Sequence, residues 1–377
     1  MRQLNRRGMV YVVALGTITF LLITGASMLM RSLSQRQLTE RSGNQYAALH
    51  LGDAAVDQAL HNLRTGNTAT ITTTPLPTGS YWAELAALNA TTYRVTAHGL
   101  SGSEQRDIEA VVRSTPKSIF QFALFGSQTV EVGGSAITDS YDSRLGSYAS
   151  QTPGDNGDVG TNSTQPGGVE VSGGIAINGQ IVVGPGVEDP ESVVEGIASV
   201  VITGDPKVLS ASEAFPMPAV VIPSGLSCSD LTVGSNKTTT LSSAVGTYCF
   251  RNVTINGGGT LTANGPVKIY MTGELKAVGN GTVVGVASNP LAMRFLMAST
   301  AGATLEGTIT GSTRFYGALY GPQASIKVQG HAEVFGSIIA QSVHLWGSAE
   351  IHYDEGVTDL TDVTNGFTTT LLSWREL

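Results

Sequence analysis

The stretch FYGALYGPQASIKVQGHAEVFGSIIAQSV, residues 315–343, states one phrase twice: Phe315-Tyr-Gly-Ala-Leu-Tyr320 returns 19 positions later as Val334-Phe-Gly-Ser-Ile-Ile339. A period of this size in β-type sequence is a solenoid signature. The wording spreads outward from there. VEVGGSAIT from 130, VEVSGGIAI from 169, VTINGGGTL from 253, IKVQGHAEV from 326 and VHLWGSAEI from 343 all read apolar-x-apolar-x-Gly, followed by a second short strand. One such coil cannot bury its own apolar face, so stacked coils complete a shared core and pair backbone with backbone. Gly and Asn suit the corners, where φ is often positive. A β-sandwich would use strands of similar length but leaves the echoed motif unexplained. The pattern therefore predicts a parallel β-helix over 115–355. Within it, residues 185–250 carry Pro185, Pro190, Pro206, Pro216, Pro218 and Pro223 and read as an irregular insertion. Residues 356–377 read as a C-terminal cap, since an open solenoid end exposes backbone edges.

Upstream, Tyr93–Ala97 and Ile108–Val112 alternate apolar and polar, with Gly99-Leu-Ser-Gly102-Ser between them. This predicts a small antiparallel sheet over 65–114 leaning on a helix. The helix itself begins with Met9–Met30, MVYVVALGTITFLLITGASMLM, which carries no charge. At about 1.5 Å per residue this run spans roughly 33 Å, enough to cross a hydrocarbon core of ~30 Å. Arg2, Arg6 and Arg7 precede it in a leader, residues 1–8, so the positive-inside bias leaves the leader in the cytoplasm and sends the rest across. A cleavable secretory signal is the alternative, with Thr24-Gly25-Ala26 as its peptidase site. Against it, Leu49, Val56, Leu60 and Leu63 continue as one helical face, so the helix is expected over 9–64, roughly 80 Å long. Gly25, Gly43 and Gly52 each cost about 1 kcal/mol and mark where it could bend. The fold class is thus mainly β: a long N-terminal transmembrane and amphipathic α-helix, a small antiparallel sheet, then a parallel β-helix.

A short basic leader ending in Gly, followed by an apolar helix that turns amphipathic in QYAALHLGDAAVDQAL, resembles the N-terminus of PilX-type minor pilins. The resemblance implies cleavage by a prepilin peptidase after Gly8, with Arg6, Arg7, Gly8 and Met9 as the processing residues. It also implies other pilin-like subunits as helix partners. The location implied is the bacterial inner membrane, crossed once with the C-terminal part periplasmic, or an extracellular pilus. Major pilins carry Glu at the fifth mature position, where this chain has Val13, a departure from the major-subunit pattern that leaves a minor-subunit role open. The segments FALFGSQTVEVGGSAITDSYDS, GPVKIYMTGELKAVGNGTV and GSAEIHYDE, with the repeat quoted first, resemble the uncharacterised β-helical domain that often follows PilX-type N-termini. That likeness implies architecture and supplies no activity.

Composition narrows the rest. With 46 Gly and only 13% charged residues the chain does not suit a helical soluble domain, and 41% hydrophobic residues argue against disorder. A net charge of −8 provides no basic face, so nucleic acid is not an expected partner. Cys228 and Cys249 lie beyond the membrane segment, where disulfides persist. They are expected to pair, which on the chain-entropy model stabilises by about 3 kcal/mol.

β-Helices can host carbohydrate chemistry, which needs converging carboxylates or a metal with a base. Candidates are Asp139 with Asp142, Asp155 with Asp158, and Asp354 with Glu355. Each pair sits beside Ser, Gly or Asn, as at turns, so a corner-holding role is expected and neither enzyme activity nor a cofactor. Asp155 and Asp158 are the calcium candidates, short of the longer ligand ladder such sites use. His331, His344 and His352 have spacings that place no two on one strand face. GxSxG, HExxH, Walker and dinucleotide fingerprints are absent from the sequence. The expected function is that of a structural pilin-like subunit. The alternative is a membrane-anchored adhesin binding glycan or matrix through an exposed aromatic ladder of Tyr316, Tyr320, Phe335 and Trp346.

Overall fold

The computed structural model describes residues 6–306, 313–361 and 363–377. The chain divides into two units, Met1–Thr115 with Gly366–Leu377, and Pro116–Asn365. In the first, helix α1 spans Arg6–Arg64 without interruption. Residues 1–5 of the leader lie outside the described residues; Arg6, Arg7, Gly8 and Met9 belong to the first helical turns, and their side chains are likewise not described.

The helix continues through Gly25, Gly43 and Gly52 without a break, because propagation over so long a helix outweighs single glycine penalties. Gly52 instead serves packing: a Cβ there would lie 2.9 Å from Ile108 Cδ1. Ala48, Leu51, Ala55, Val56, Ala59 and Leu63 are buried at i+3 and i+4 spacings, and the last four pack with Ala83, Val95, Ala97, Ile108, Ala110 and Val112. Leu49 and Leu60 flank that stripe half-buried. The sheet beneath is β1 Ile71–Leu76, β2 Gly79–Ala87, β3 Thr92–Ser101 and β4 Glu104–Ser118, each antiparallel to the next.

A fifth strand, Thr364–Glu376, joins this sheet beside β4, which corrects the expectation that 356–377 caps the solenoid. The long edge of β4 offers a row of unpaired N–H and C=O groups, and the tail satisfies them. Ion pairs reinforce it, Arg106–Glu376 at 2.9 Å and Arg375–Glu109 at 2.8 Å. Only the start of the tail stays with the solenoid, where Val357 and Leu360 are buried.

The second unit is a parallel β-helix, and Phe315 pairs with Val334, Tyr316 with Phe335 and Gly317 with Gly336, as the repeat reads. The order of the coils is not the order of the sequence. The first strands, Leu124–Gly134 and Ile137–Tyr141, stack in parallel on the last ones, Glu333–Gly347 and Glu350–Asp354. From this midpoint the chain winds outward through strands such as Val169–Gly173 and Val194–Glu195 to Val208–Ser210. Residues 211–228 contain no strand and return to Ser229–Val233, from which the coils wind back to the midpoint. The echoed phrases thus stack in the order 253, 326, 343, 130, 169, with the coils from Leu275 and Ala303 between the first two.

The insertion expected over 185–250 shrinks accordingly to 211–228. Prolines at 185, 190 and 206 fall outside the strands, where no ladder N–H is needed. The return segment is held by Asn162, which exchanges two hydrogen bonds with the Phe215 backbone, and by packing of Phe215 on Phe125 and Phe122. Tyr320 donates its hydroxyl proton to Pro218 O at 2.5 Å. The core includes Phe120, Phe125, Phe295, Phe315 and Tyr320, and each large apolar side chain so buried stabilises by about 1.5–3 kcal/mol. Cys228 and Cys249 form a disulfide with Cα atoms 4.5 Å apart.

Candidate functional site

Around the midpoint, two columns of outward-facing residues cross neighbouring strands. In register, Arg314, Glu333 and Glu350 form one; Tyr316, Phe335, His352 and Asp139 form the other. Parallel pairing spaces such neighbours about 4.8 Å apart, and the side chains use it. Tyr316 and Phe335 stack with centroids 4.3 Å apart, and Phe335 lies 4.8 Å from the His352 ring. Arg314 Nε donates to Glu333 Oε2 at 3.0 Å. His352 Nδ1 is 2.8 Å from Asp139 Oδ1, and its Nε2 is 3.3 Å from Glu350 Oε2. A loop after Tyr141 folds Tyr148 over this pair, its ring 3.9 Å from His352 and its hydroxyl donating to Asp139 Oδ2 at 2.7 Å.

His352 and Asp139 are each only 3% exposed. A carboxylate so buried is tolerable because two donors converge on it. Burial, and then the hydrogen bond to Asp139, pushes the Tyr148 hydroxyl well above the ordinary phenol range; burial and then Asp354 do the same to Tyr141. Both phenols therefore stay neutral, and Tyr148 serves as a donor. Beside these groups lies a pocket of about 640 Å³, whose walls also include Ser147, Ser288 and Asn289.

Of the acidic residues singled out by sequence, only Asp139 reaches this cluster. Asp142 is gripped by Arg144, at 2.8 Å on both oxygens, and that bonding holds its carboxyl below the usual aspartate value. Asp155 is exposed, whereas Asp158 accepts the Gln180 amide at 2.7 Å and burial raises its carboxyl. Among the described residues no group of three or more His, Cys, Asp and Glu is arranged to hold a metal. Asp354 accepts the amides of Ser143 and Gly356, and Glu355 accepts from Ser140 and Asn156. His344 pairs with Glu131 of the neighbouring coil at 2.9 Å, and His331 is exposed.

The aromatic ladder of Tyr316, Tyr320, Phe335 and Trp346 does not form. Tyr320 is fully buried where its hydroxyl meets Pro218, Phe335 is nearly so, and Trp346, 47% exposed, lies over Gly133 on a different face. What the sequence reading missed is the His352–Asp139 pair, 213 positions apart. The signal was present: GSAITDSYD from 134 and GSAEIHYDE from 347 put Asp139 and His352 at the same place in one phrase.

The second candidate feature is α1. Val10, Tyr11, Val12, Leu15, Phe20 and Met30 are all exposed, and α1 is the one helix among the described residues long and apolar enough to cross a membrane.

Residues 229–360 match a family described as "Domain of unknown function (DUF7305)". No curated protein matches the chain. Among solved structures, the competence-associated pilin ComZ from Thermus thermophilus is 12% identical with a TM-score of 0.32, over 89% of this chain and 97% of its own. An ice-binding protein domain from Shewanella frigidimarina is 15% identical with a TM-score of 0.38, over 64% and 98%. The ice-binding protein of Antarctomyces psychrotrophicus is 16% identical with a TM-score of 0.35, over 63% and 98%. Likenesses this distant carry no inference about what the chain binds or builds.

Proposed function

We propose that the chain is a pilin-like structural subunit, of the PilX-type minor class, that displays its β-helix beyond the inner membrane. The observation that carries this reading is the two-part character of α1. Its first half is apolar and bare, while its second half is seated on an antiparallel sheet. Apolar side chains left in water forgo about 1.5–3 kcal/mol each, so the bare half requires lipid or neighbouring helices as cover.

In this reading a prepilin peptidase recognises Arg6, Arg7 and Gly8 and makes Met9 the mature N-terminus. The Met9–Met30 segment then resides in the bilayer, passes among the helices of other pilin-like subunits, and leaves the C-terminal part periplasmic or on an extracellular pilus. The chain's role is packing and display, and no catalytic step is assigned to it. The test is Gly8→Leu expressed with a prepilin peptidase and analysed by intact mass. The variant should keep its leader while the parent loses it. Equal processing of both, or a native chain beginning near Ser27 and free in the medium, defeats the proposal.

A further inference from the structure

We propose that the pocket at the solenoid midpoint binds a pyranose unit of a glycan. At about 640 Å³ it falls in the range of small-molecule sites, which pair apolar walls with a few placed polar groups. Tyr316 and Tyr148 supply aromatic surface, half-buried and thus available on one side. Glu333 and Glu350 are partly exposed acceptors from adjacent coils, while Arg314 and Asn289 supply donors at the rim. A sugar ring has the matching duality, with C–H faces for aromatic contact and hydroxyls that both donate and accept.

Other ligand classes match less well. A phosphate or uronate would meet two carboxylates. A purely apolar ligand would strip water from Glu333 and Glu350 without replacing their hydrogen bonds. A cationic amine would have to sit beside the Arg314 guanidinium. Behind the wall, the buried Asp139 side chain holds Tyr148 through its hydroxyl, and at the rim Arg314 holds Glu333. The pocket is thus shaped before any ligand arrives, which lowers the ordering cost of binding. The site uses residues of the second unit alone, so its failure would leave the reading of α1 untouched.

The experiment is saturation-transfer difference NMR on the full chain in a sugar-free zwitterionic detergent, with chitotriose, maltotriose, cellotriose and, as the cationic competitor, spermidine. Saturation should reach ring protons of at least one trisaccharide. Affinity should fall about tenfold or more in Tyr316→Ala, which loses the aromatic wall, and in Glu350→Gln, and persist in Trp346→Ala on another face. Circular dichroism confirms that the variants fold; if Tyr316→Ala does not, Glu333→Gln replaces it. Transfer to spermidine alone, to no probe at all, or equally in parent and pocket variants overturns the proposal.

Discussion

Replacing Gly99 by alanine should unseat the lower half of α1. Gly99 does not have a positive φ, so alanine carries no backbone strain there and the effect comes from space alone. An added Cβ would overlap Ala48 O and Gly52 N, both backbone atoms of the helix, and no side-chain rotation relieves such a clash. The helix must lift from β3, and overpacking of this kind costs about 1–3 kcal/mol. Converted, that is a rise of about 5- to 150-fold in the opening equilibrium of the helix and sheet. Hydrogen exchange read by mass spectrometry reports it directly, because protected amides exchange in proportion to local opening. Peptides covering 48–63 and 92–113 should lose protection by that factor. Gly25→Ala is the control, since a Cβ there meets nothing within 4 Å. Unchanged protection in Gly99→Ala would refute the close seating of helix on sheet.

Two further outcomes follow from buried polar groups. Asp354 is buried, and burial raises its carboxyl above the ordinary value of 3.8. Its contribution to stability is therefore full below the unfolded value and is lost as pH rises through the higher native one. In Asp354→Asn, which keeps an oxygen for the Ser143 and Gly356 amides, the melting-temperature difference from the parent should drift in the variant's favour from pH 4 to pH 8; a constant difference removes the argument. Tyr320→Phe removes the bond that tethers Pro218, worth about 1 kcal/mol. Limited proteolysis within 211–228 should then accelerate about fivefold, and an unchanged rate would show that the hydroxyl does not hold the return segment.

Local periodicity made much of the architecture legible. The apolar run after Arg7, the stripe through Val56 and Leu63, and the repeat of Phe315–Tyr320 as Val334–Ile339 each concern residues within one helix face or one coil. There the side-chain period dictates which atoms are buried. The candidate site was legible only in pieces. Tyr316 and Phe335 read from sequence as a possible platform, whereas the spacings of His331, His344 and His352 place no two on one strand face and so point His352 to no partner.

The amino-acid sequence by itself determined that the chain has an apolar helix, an antiparallel sheet and a stack of coils, and which position of one coil faces the like position of another. Only the tertiary structure decided which coils are neighbours, that the first rests on the last, and that residues 364–376 complete the other unit's sheet. The reason is that ladder hydrogen bonds join backbone to backbone, so any echoed phrase can stack on any other. The choice among them is made by closure of the whole, which at one stroke buries Tyr320 under Pro218 and brings Asp139 to His352.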